Sequence, residues 1–215
     1  MSLTLYYHPL ASFCHKTLIA LYENETPFTP HFVDLMDPKS NAEFKAIWPI
    51  GKFPVLRDSA RNALVPESSI IIEYLAQHYP GKSELLPRDP ELALRTRMQD
   101  RVFDLYLHMQ MQAVMGDRLR PADKKDPIGV ENATKTMRTS LDMIEKDMAT
   151  KTWAMGDVFT LADCAAAPAL FYTNMIIPLA GTYKNTAKYL DRLMQRPSYA
   201  RVLREAEPYF KMVPK

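Results

Sequence analysis

A serine follows the first predicted strand at the position where a helix is expected to begin. Residues 3–7 have the alternating pattern of a strand, and helical spacing starts after Tyr7-His8-Pro9-Leu10-Ala11-Ser12. The first turn of a helix presents free backbone N–H groups and the positive end of the helix dipole, so an anion placed there is stabilised. Ser12 is therefore either the N-cap of this helix or part of a site that stabilises a thiolate.

A proline-containing loop is the second candidate. In Trp48-Pro49-Ile50-Gly51-Lys52-Phe53-Pro54, the last proline lies at the entrance of a short strand over residues 53–56. A cis bond before Pro54 would leave the backbone N–H and C=O of Phe53 free for a peptide-like ligand. Because cis prolines are a small minority, the residues alone favour a trans proline that ends a loop.

An acidic residue and a serine open a helix predicted over residues 67–78. Ser68 and the neighbouring backbone N–H groups suit a ligand carboxylate, while Glu67 suits an ammonium group. An ordinary helix start explains the same residues, because Pro66 precedes it and acidic side chains are common in a first turn. Both interpretations stay open at this point.

The composition excludes some classes of function. The chain has 215 residues, enough for one long domain or two short ones, and 47% of them are apolar and 24% charged, as in ordinary soluble proteins. The formal net charge of +2 gives no electrostatic argument for binding nucleic acid. The two cysteines, Cys14 and Cys164, form no CxxC pair, which argues against a disulfide framework or a zinc site.

No part of the sequence has the pattern of a membrane segment. No apolar stretch approaches the roughly 18 to 20 residues that span a bilayer, and the N-terminal residues lack the pattern of a signal peptide. We therefore expect no membrane partner and a cytoplasmic location, with which the two unpaired cysteines are compatible.

The elements that position these residues differ between the two halves of the chain. After the first strand and helix, the patterns predict an edge strand over 28–33, a hairpin of strands 53–56 and 63–65, and the helix 67–78. The order is β-α-β, a connecting segment, then β-β-α. Beyond Pro80-Gly81 no strand pattern remains, and helices are predicted near 94–109, 137–148, 164–172, 186–195 and 198–206.

Apolar spacing defines the two long helices of the second half. Leu94, Met98, Val102, Leu105 and Met109 follow one face of the first, and Met137, Leu141, Ile144 and Met148 follow one face of the second. Thr160 and Asp163 form a capping-box pattern before the next apolar run.

Together, these segments resemble the cytosolic glutathione transferase family, in its serine-type, bacterial-like form. The marks are a serine near the start of helix 1, the P-x-G-x-x-P pattern of residues 49–54, and the acidic residue and serine at helix 3. The stretch 156–163 resembles the capping segment of the family's helix 6, so the resemblance covers essentially the whole chain. It implies an α/β thioredoxin-like N-terminal domain (1–80), a linker (81–88) and an all-α C-terminal domain (89–215).

The resemblance also implies roles for individual residues. Ser12 matches the hydroxyl that donates a hydrogen bond to the glutathione sulfur, and the backbone of Phe53 matches the one that pairs with the cysteinyl unit. Glu67 and Ser68 match the pair that binds the γ-glutamyl end. The full glutathione-binding set is Ser12, Phe13, Lys52, Phe53, cis-Pro54, Glu67 and Ser68, with Lys52 near the glycine carboxylate.

The implied chemistry is activation of a thiol. A thiol with a pKa of about 8.5 is only a few per cent ionised at neutral pH, and lowering that pKa by one to two units needs roughly 1.4 to 2.7 kcal/mol. A hydroxyl hydrogen bond and a helix N-terminus together supply about that much. The thiolate would then attack an electrophilic carbon, sulfur or peroxide oxygen, with glutathione as co-substrate and no metal or redox cofactor.

Other residues near the sulfur compete for this role. Tyr6 and Tyr7 carry hydroxyls but lie on the predicted strand, where packing is expected. Family members with a cysteine at the position of Ser12 act as thiol transferases, so a thiol transferase or peroxidase working through Cys14 is an alternative. Cys14 lies two residues after the position of Ser12. We expect Cys14 and Cys164 to be buried. His8 and His15 are expected to be surface or cap residues.

The family's electrophile pocket lies between the domains. The first helix of the second half offers Tyr106, Met109, Met111 and Met115, and the C-terminal tail offers Tyr209, Phe210 and Met212; we take Tyr106, Met109 and Tyr209 as candidate pocket residues. Methionines suit an adaptable apolar wall, although the same spacing fits a core.

The resemblance therefore predicts a homodimeric glutathione transferase, with contacts through helices 3 and 4, that detoxifies small hydrophobic electrophiles. The non-enzymatic alternative is a non-catalytic member of this family that uses the same fold to bind partners or carry ligands.

Overall fold

A four-stranded mixed sheet forms the first part of the computed structural model, which describes residues 2–214. Its strands are β1 (Leu3–Tyr7), β2 (Thr29–Phe32), β3 (Val55–Asp58) and β4 (Ala63–Pro66), in the order β2-β1-β3-β4. Strands β1 and β2 are parallel, and the other two pairs are antiparallel. The predicted hairpin and the predicted edge position of β2 are both confirmed. The edge suits β2 because Pro30 has no N–H to donate to a neighbouring strand.

Three helices accompany the sheet: α1 (Ser12–Glu23), α2 (Pro38–Ile47) and α3 (Ser68–His78). Helix α2 lies in the segment between β2 and β3 that was predicted to be a connection without regular structure. Asp37 caps it by accepting a hydrogen bond from the Ser40 N–H at 2.9 Å, and Pro38 occupies the first turn. Its Phe44 packs with Tyr6, Val33 and Val55 in a small second core.

Between residues 90 and 206, the regular structure consists of helices joined by loops. The helices are α4 (Pro90–Arg101), a π-helical segment (Val102–His108), α5 (Met109–Arg118), α6 (Pro127–Asp147), α7 (Leu161–Asn174), α8 (Lys184–Gln195) and α9 (Pro197–Ala206). Short 3₁₀ segments cover Ala122–Lys124 and Glu207–Met212. The thioredoxin-like and all-helical arrangement predicted from the sequence is confirmed.

The buried side of the α4–π–α5 helix differs from the prediction. Leu94 and Met98 are each 60% exposed, and Leu105 and Met109 also face solvent. The buried side instead carries Asp100, Phe103, Asp104, Leu107 and His108. The apolar spacing was misleading because the polar groups on the buried side are paired with one another, which allows a polar side of the helix to be buried.

Helix α7 lies at the centre of the larger core and packs against α1 and the π segment. The predicted capping box is confirmed: the Thr160 hydroxyl accepts from the Ala162 N–H at 3.3 Å, and the Thr160 N–H donates to Asp163 at 2.9 Å. Helix α6 buries Met137, Leu141 and Ile144, as predicted. Within residues 2–214, no helix combines the length and the apolar character needed to cross a membrane.

Candidate active site

A cleft of about 800 Å³ lies between the sheet half and the helical half. Its walls are the start of α1 (residues 10–13), the proline loop (51–54), the start of α3 (67–70), and one side of the α4–π–α5 helix. The three segments singled out from the sequence therefore meet at one cleft. Ser12, Phe13, Lys52, Phe53, Pro54, Glu67 and Ser68 all line it, together with Met109.

Ser12 is the first residue of α1 and does not cap it. Ala11 occupies the N-cap position, and no side chain caps the helix. The capping interpretation of Ser12 is therefore wrong. Its side chain lies in the first turn of the helix at the wall of the cleft, with only 7% of the residue exposed. This is the position at which the free N–H groups and the dipole favour an anion.

Two residues that the sequence analysis missed contact the Ser12 hydroxyl. His108 Nε2 lies 2.5 Å from Ser12 Oγ, and the Gln112 amide donates to the same oxygen at 3.3 Å. They lie 96 and 100 residues further along the chain, so no local pattern connects them to Ser12. The available signal was a polar stripe at every fourth position of the helix: Thr96, Asp100, Asp104, His108 and Gln112.

His108 is completely buried and neutral at physiological pH. Burial lowers the pKa of its imidazole to about 3, and the nearby Lys16 and His15 contribute in the same direction. The ring stacks on Phe13, with centroids 4.0 Å apart and planes 16° apart. Among the described residues, its Nδ1 has no hydrogen-bond partner.

The proline loop exposes peptide groups to the cleft. The Phe53–Pro54 bond is cis, as the family resemblance implies, and the trans bond favoured by the residues alone is wrong. Gly51 has a φ of +66°, a left-handed conformation that glycine adopts without strain. Within residues 2–214, the Phe53 backbone makes no hydrogen bond outside the strand ladders. It can therefore pair with a ligand in the cleft.

The start of α3 is not that of an ordinary capped helix. Glu67 precedes it with a φ of 70°, which is strained for a residue with a side chain, and it forms no capping hydrogen bond. The N–H groups of the first turn are therefore open to a ligand. Ser68 is buried and Glu67 is exposed, and both line the cleft.

A buried charge cluster supports this end of the cleft. Lys16 Nζ lies 2.5 Å from Asp100 Oδ1 and 2.7 Å from Asp104 Oδ2, and it donates to Ser69 Oγ at 2.7 Å. The half-exposed Arg101 pairs with the same two carboxylates. Burial raises the pKa of Asp104, while the charge of Lys16 opposes that rise.

Lys52 supplies a positive charge to the cleft. It is exposed, lines the cleft, and pairs with no carboxylate among residues 2–214. An uncompensated ammonium group at this wall can meet an anionic ligand group.

The alternative nucleophile Cys14 is remote from the cleft surface. It is completely buried, and burial raises the pKa of its thiol far above the usual range. Cys164 is also fully buried, as predicted. Neither cysteine lines the cleft. Both fit the expected packing role.

The other polar candidates are involved in packing. Tyr6 packs against Phe44, and burial raises the pKa of Tyr7. The prediction that His15 is a surface or cap residue is wrong, because it is fully buried with Nε2 at 2.6 Å from the Pro9 carbonyl oxygen. His8 is half-buried, and its Nδ1 accepts from the Leu10 N–H at 3.1 Å.

The apolar end of the cleft differs in part from the expected pocket. Tyr106 is 53% exposed, and its carbonyl accepts from the Ser140 hydroxyl on α6. Tyr209 stacks against Phe32 and packs edge-to-face with His8. Neither tyrosine lines the cleft, because each is held on another surface. The wall is formed by Leu105, Met109, Met111, Met115, Tyr172, Val213 and Pro214.

Comparison with known proteins extends over both halves of the chain. Residues 5–83 match the family model for the glutathione S-transferase N-terminal domain, and residues 103–197 match that for the C-terminal domain. A glutathione S-transferase-like protein from a Fusarium species is 34% identical over 163 residues, 75% of this chain and 70% of the relative. FtsZ-localized protein A from Caulobacter vibrioides is 28% identical over 217 residues, 95% of this chain and 92% of the relative.

A solved structure has the same arrangement of both halves. It is a glutathione S-transferase from Methylobacterium radiotolerans in complex with glutathione sulfonate, 26% identical in sequence. The superposition has a TM-score of 0.82 and covers 93% of each chain.

Proposed function

The chain belongs to the glutathione S-transferase family, and we propose that it is an enzyme that conjugates the glutathione thiolate to small hydrophobic electrophiles. The observation that carries the proposal is the position of the Ser12 hydroxyl. It lies in the first turn of α1, at the wall of a cleft that also contains the open peptide groups of Phe53 and the uncapped start of α3. A tripeptide thiol matches this set of groups.

Glutathione would lie along the three segments. The peptide groups of Phe53 would pair with its cysteinyl unit, so that the sulfur reaches Ser12. The free N–H groups and hydroxyl at Ser68 suit the γ-glutamyl carboxylate, and Glu67 suits its ammonium group. Lys52 is available to the glycine carboxylate. The glutathione sulfonate complex of the Methylobacterium relative supports this ligand class.

The reaction is a nucleophilic attack by the bound sulfur. The Ser12 hydroxyl donates a hydrogen bond to the thiolate, and the N-terminus of α1 stabilises the same negative charge. With an aryl halide as substrate, the sulfur forms a bond to the ring carbon, the halide leaves with the electron pair of its bond, and the thiol proton passes to solvent. Three methionines and Tyr172 line the apolar side of the cleft, a surface that adapts to varied apolar molecules.

The exposed apolar side of α3 and α4 supports a homodimer. Ile70 on α3 and Leu94 and Met98 on α4 are each more than half exposed, so both helices offer apolar surface for an interface. A second copy of the chain would cover them. We place this detoxifying activity in the cytoplasm.

A second candidate function is a non-catalytic scaffold. The name of the Caulobacter relative, FtsZ-localized protein A, associates a protein of this family with another protein. The same exposed apolar residues on α3 and α4 would then receive a partner. Conversely, the burial of Cys14 disfavours the thiol transferase that works through this cysteine.

The test is a comparison of two serine variants. Ser12→Ala should lower kcat/KM for glutathione and chlorodinitrobenzene by about 10- to 100-fold, equivalent to one to two units of thiol pKa. Ser140→Ala is the matched control, because Ser140 is also buried but lies on α6 and does not line the cleft. Glutathione binding is measured by calorimetry. Absence of both binding and conjugation in the unmodified protein would favour the scaffold.

A further inference from the structure

Two side chains contact the oxygen of Ser12, and their hydrogen bonds determine the direction of its hydroxyl proton. A hydroxyl has one donor hydrogen and two acceptor lone pairs. Gln112 donates its amide N–H to Ser12 Oγ at 3.3 Å and so occupies one lone pair. The contact of 2.5 Å with His108 Nε2 involves either the second lone pair or the hydroxyl proton itself. The state of the His108 ring decides between them.

The surroundings of His108 favour the ring form with the proton on Nε2. The ring is fully buried, and its Nδ1 has no partner among the described residues. A proton on Nδ1 would leave a buried N–H without an acceptor, which is rare in folded proteins. With the proton on Nε2, the ring donates to Ser12 Oγ, and only a weakly basic lone pair of Nδ1 remains unpaired.

The fold holds both donors in place. The His108 ring stacks on Phe13, the residue next to Ser12, at a centroid distance of 4.0 Å. His108 ends the π segment, and Gln112 follows one turn later in α5. Side chains four positions apart lie on one side of a helix. The stripe from Asp104 to Gln112 therefore faces α1, where it contacts Lys16 and Ser12.

We propose that His108 and Gln112 are positioning residues that fill both lone pairs of Ser12 Oγ and direct its single proton at the glutathione sulfur. The inference rests on the proposed function and states how its hydroxyl is held. Two donors to one oxygen also polarise its O–H bond and strengthen the hydrogen bond that it gives.

The support from His108 comes from a hydrogen bond and not from a charge. Its imidazole stays neutral across the range in which the thiol titrates, since burial and the charge of Lys16 disfavour the imidazolium. The other groups near the ring are His15 and Lys16 on α1 and Asp104 on its own helix, and Lys16 and Asp104 are paired with each other. Loss of the His108 donor should therefore change the thiol pKa without adding a second ionisation.

The experiment measures the pKa of the bound thiol by ultraviolet titration of the glutathione complex. His108→Phe keeps a ring against Phe13 but removes the donor, and Gln112→Met keeps the length but removes the amide. Each should raise the thiol pKa by about half a unit to one unit and lower kcat/KM below that pKa by about three- to tenfold. His108→Gln, which restores an N–H near Ser12, should recover part of the loss.

Two controls separate this role from a structural one. Gln110→Met changes the same side chain on the same helix outside the cleft, and it should leave the thiol pKa unchanged. Affinity for S-methylglutathione, which has no ionisable thiol, should be preserved in His108→Phe and Gln112→Met. A loss of that affinity as large as the loss of kcat/KM would mean that both residues merely maintain the fold, and would contradict the proposal.

The outcomes also distinguish this inference from the proposed function. If the unmodified protein does not lower the thiol pKa, the proposed function itself fails. If the unmodified protein lowers it and Ser12→Ala abolishes the effect, but both donor variants keep it, only the positioning role is overturned. If His108→Phe does not fold, Gln112→Met still tests the positioning role, because it leaves the buried His108 ring in place.

Discussion

Lys16 Nζ lies 2.7 Å from Asp104 Oδ2, and this contact joins α1 of the sheet half to the π segment of the helical half. The Lys16 side chain is 0% exposed and that of Asp104 is 5% exposed. Asp100 is the second buried partner of the same ammonium group. The two halves that form the cleft are therefore connected by buried charges next to the proposed site.

Removal of Lys16 should destabilise the protein strongly. Lys16→Met leaves two buried carboxylates with the half-exposed Arg101 as their remaining cation, and breaking a buried pair in this way costs about 3 to 5 kcal/mol. The free energy of unfolding in denaturant measures it, with the exposed Lys188→Met as the matched control. Asp100→Asn combined with Lys16→Met should recover part of the loss. Equal stability of Lys16→Met and Lys188→Met would contradict the role of the cluster.

A second connection, between α1 and α9, should make stability depend on acid pH. Burial alone would raise the pKa of Glu23, but hydrogen bonds from Arg196 at 2.7 Å and from Ser198 hold it below its usual value of 4.5. Because the folded-state pKa is the lower one, the stabilisation is complete above the unfolded pKa and is lost as pH falls through the folded pKa. Glu23→Gln should flatten this part of the stability profile below about pH 4.5. If the free energy of unfolding of Glu23→Gln falls with acid pH as it does in the unmodified protein, Glu23 does not cause this pH dependence.

Cys14 should be unreactive in the folded protein. Because its thiol is buried with a raised pKa, Cys14→Ala should keep the conjugating activity, and thiol reagents should label Cys14 only after unfolding. Ser12→Cys is the informative contrast, since it places a thiol in the first turn of α1 at the cleft wall. Given oxidised glutathione, the new thiolate should attack one sulfur of that disulfide and release glutathione thiolate, and mass spectrometry should detect the mixed disulfide that remains on the protein. Rapid labelling of Cys14 in the folded protein would contradict this prediction and would support a thiol transferase that works through Cys14.

The uncapped start of α3 should determine glutathione affinity more than stability. Ser68→Ala and Glu67→Gln each remove one polar contact to the γ-glutamyl end, which corresponds to about a 3- to 30-fold loss of affinity. Calorimetry measures the affinity, and thermal unfolding measures stability. Ser59→Ala is the control, because its exposed hydroxyl lies in the β3–β4 turn. Unchanged affinity in both variants would remove these residues from the site.

Local patterns predicted much of the fold. The alternation at Leu3 and Leu5 predicted β1, and the box formed by Thr160 and Asp163 predicted the start of α7, because neighbouring residues determine both features. The same holds for the three segments at the cleft wall. Their assembly into one site followed from a family resemblance, and the roles of the individual residues stay predictions.

The parts that escaped prediction depend on contacts between distant segments. His108 contacts Ser12 from 96 positions further along the chain, and a rule for apolar spacing within one helix does not detect such a contact. The apolar face with Leu94 and Met98 is exposed, because the paired charges of Lys16 and Asp100 allow a polar face of the helix to be the buried one. Tyr209 lies outside the pocket because it packs edge-to-face with His8, a contact that no local sequence pattern indicates.

The most direct measurement is the pKa of the glutathione thiol in its complex with this protein, followed by ultraviolet absorbance of the thiolate. The account predicts a pKa one to two units below the value of about 8.5 for a free thiol, and its return towards that value in Ser12→Ala. A thiol that ionises in the complex as it does in free solution would contradict the account.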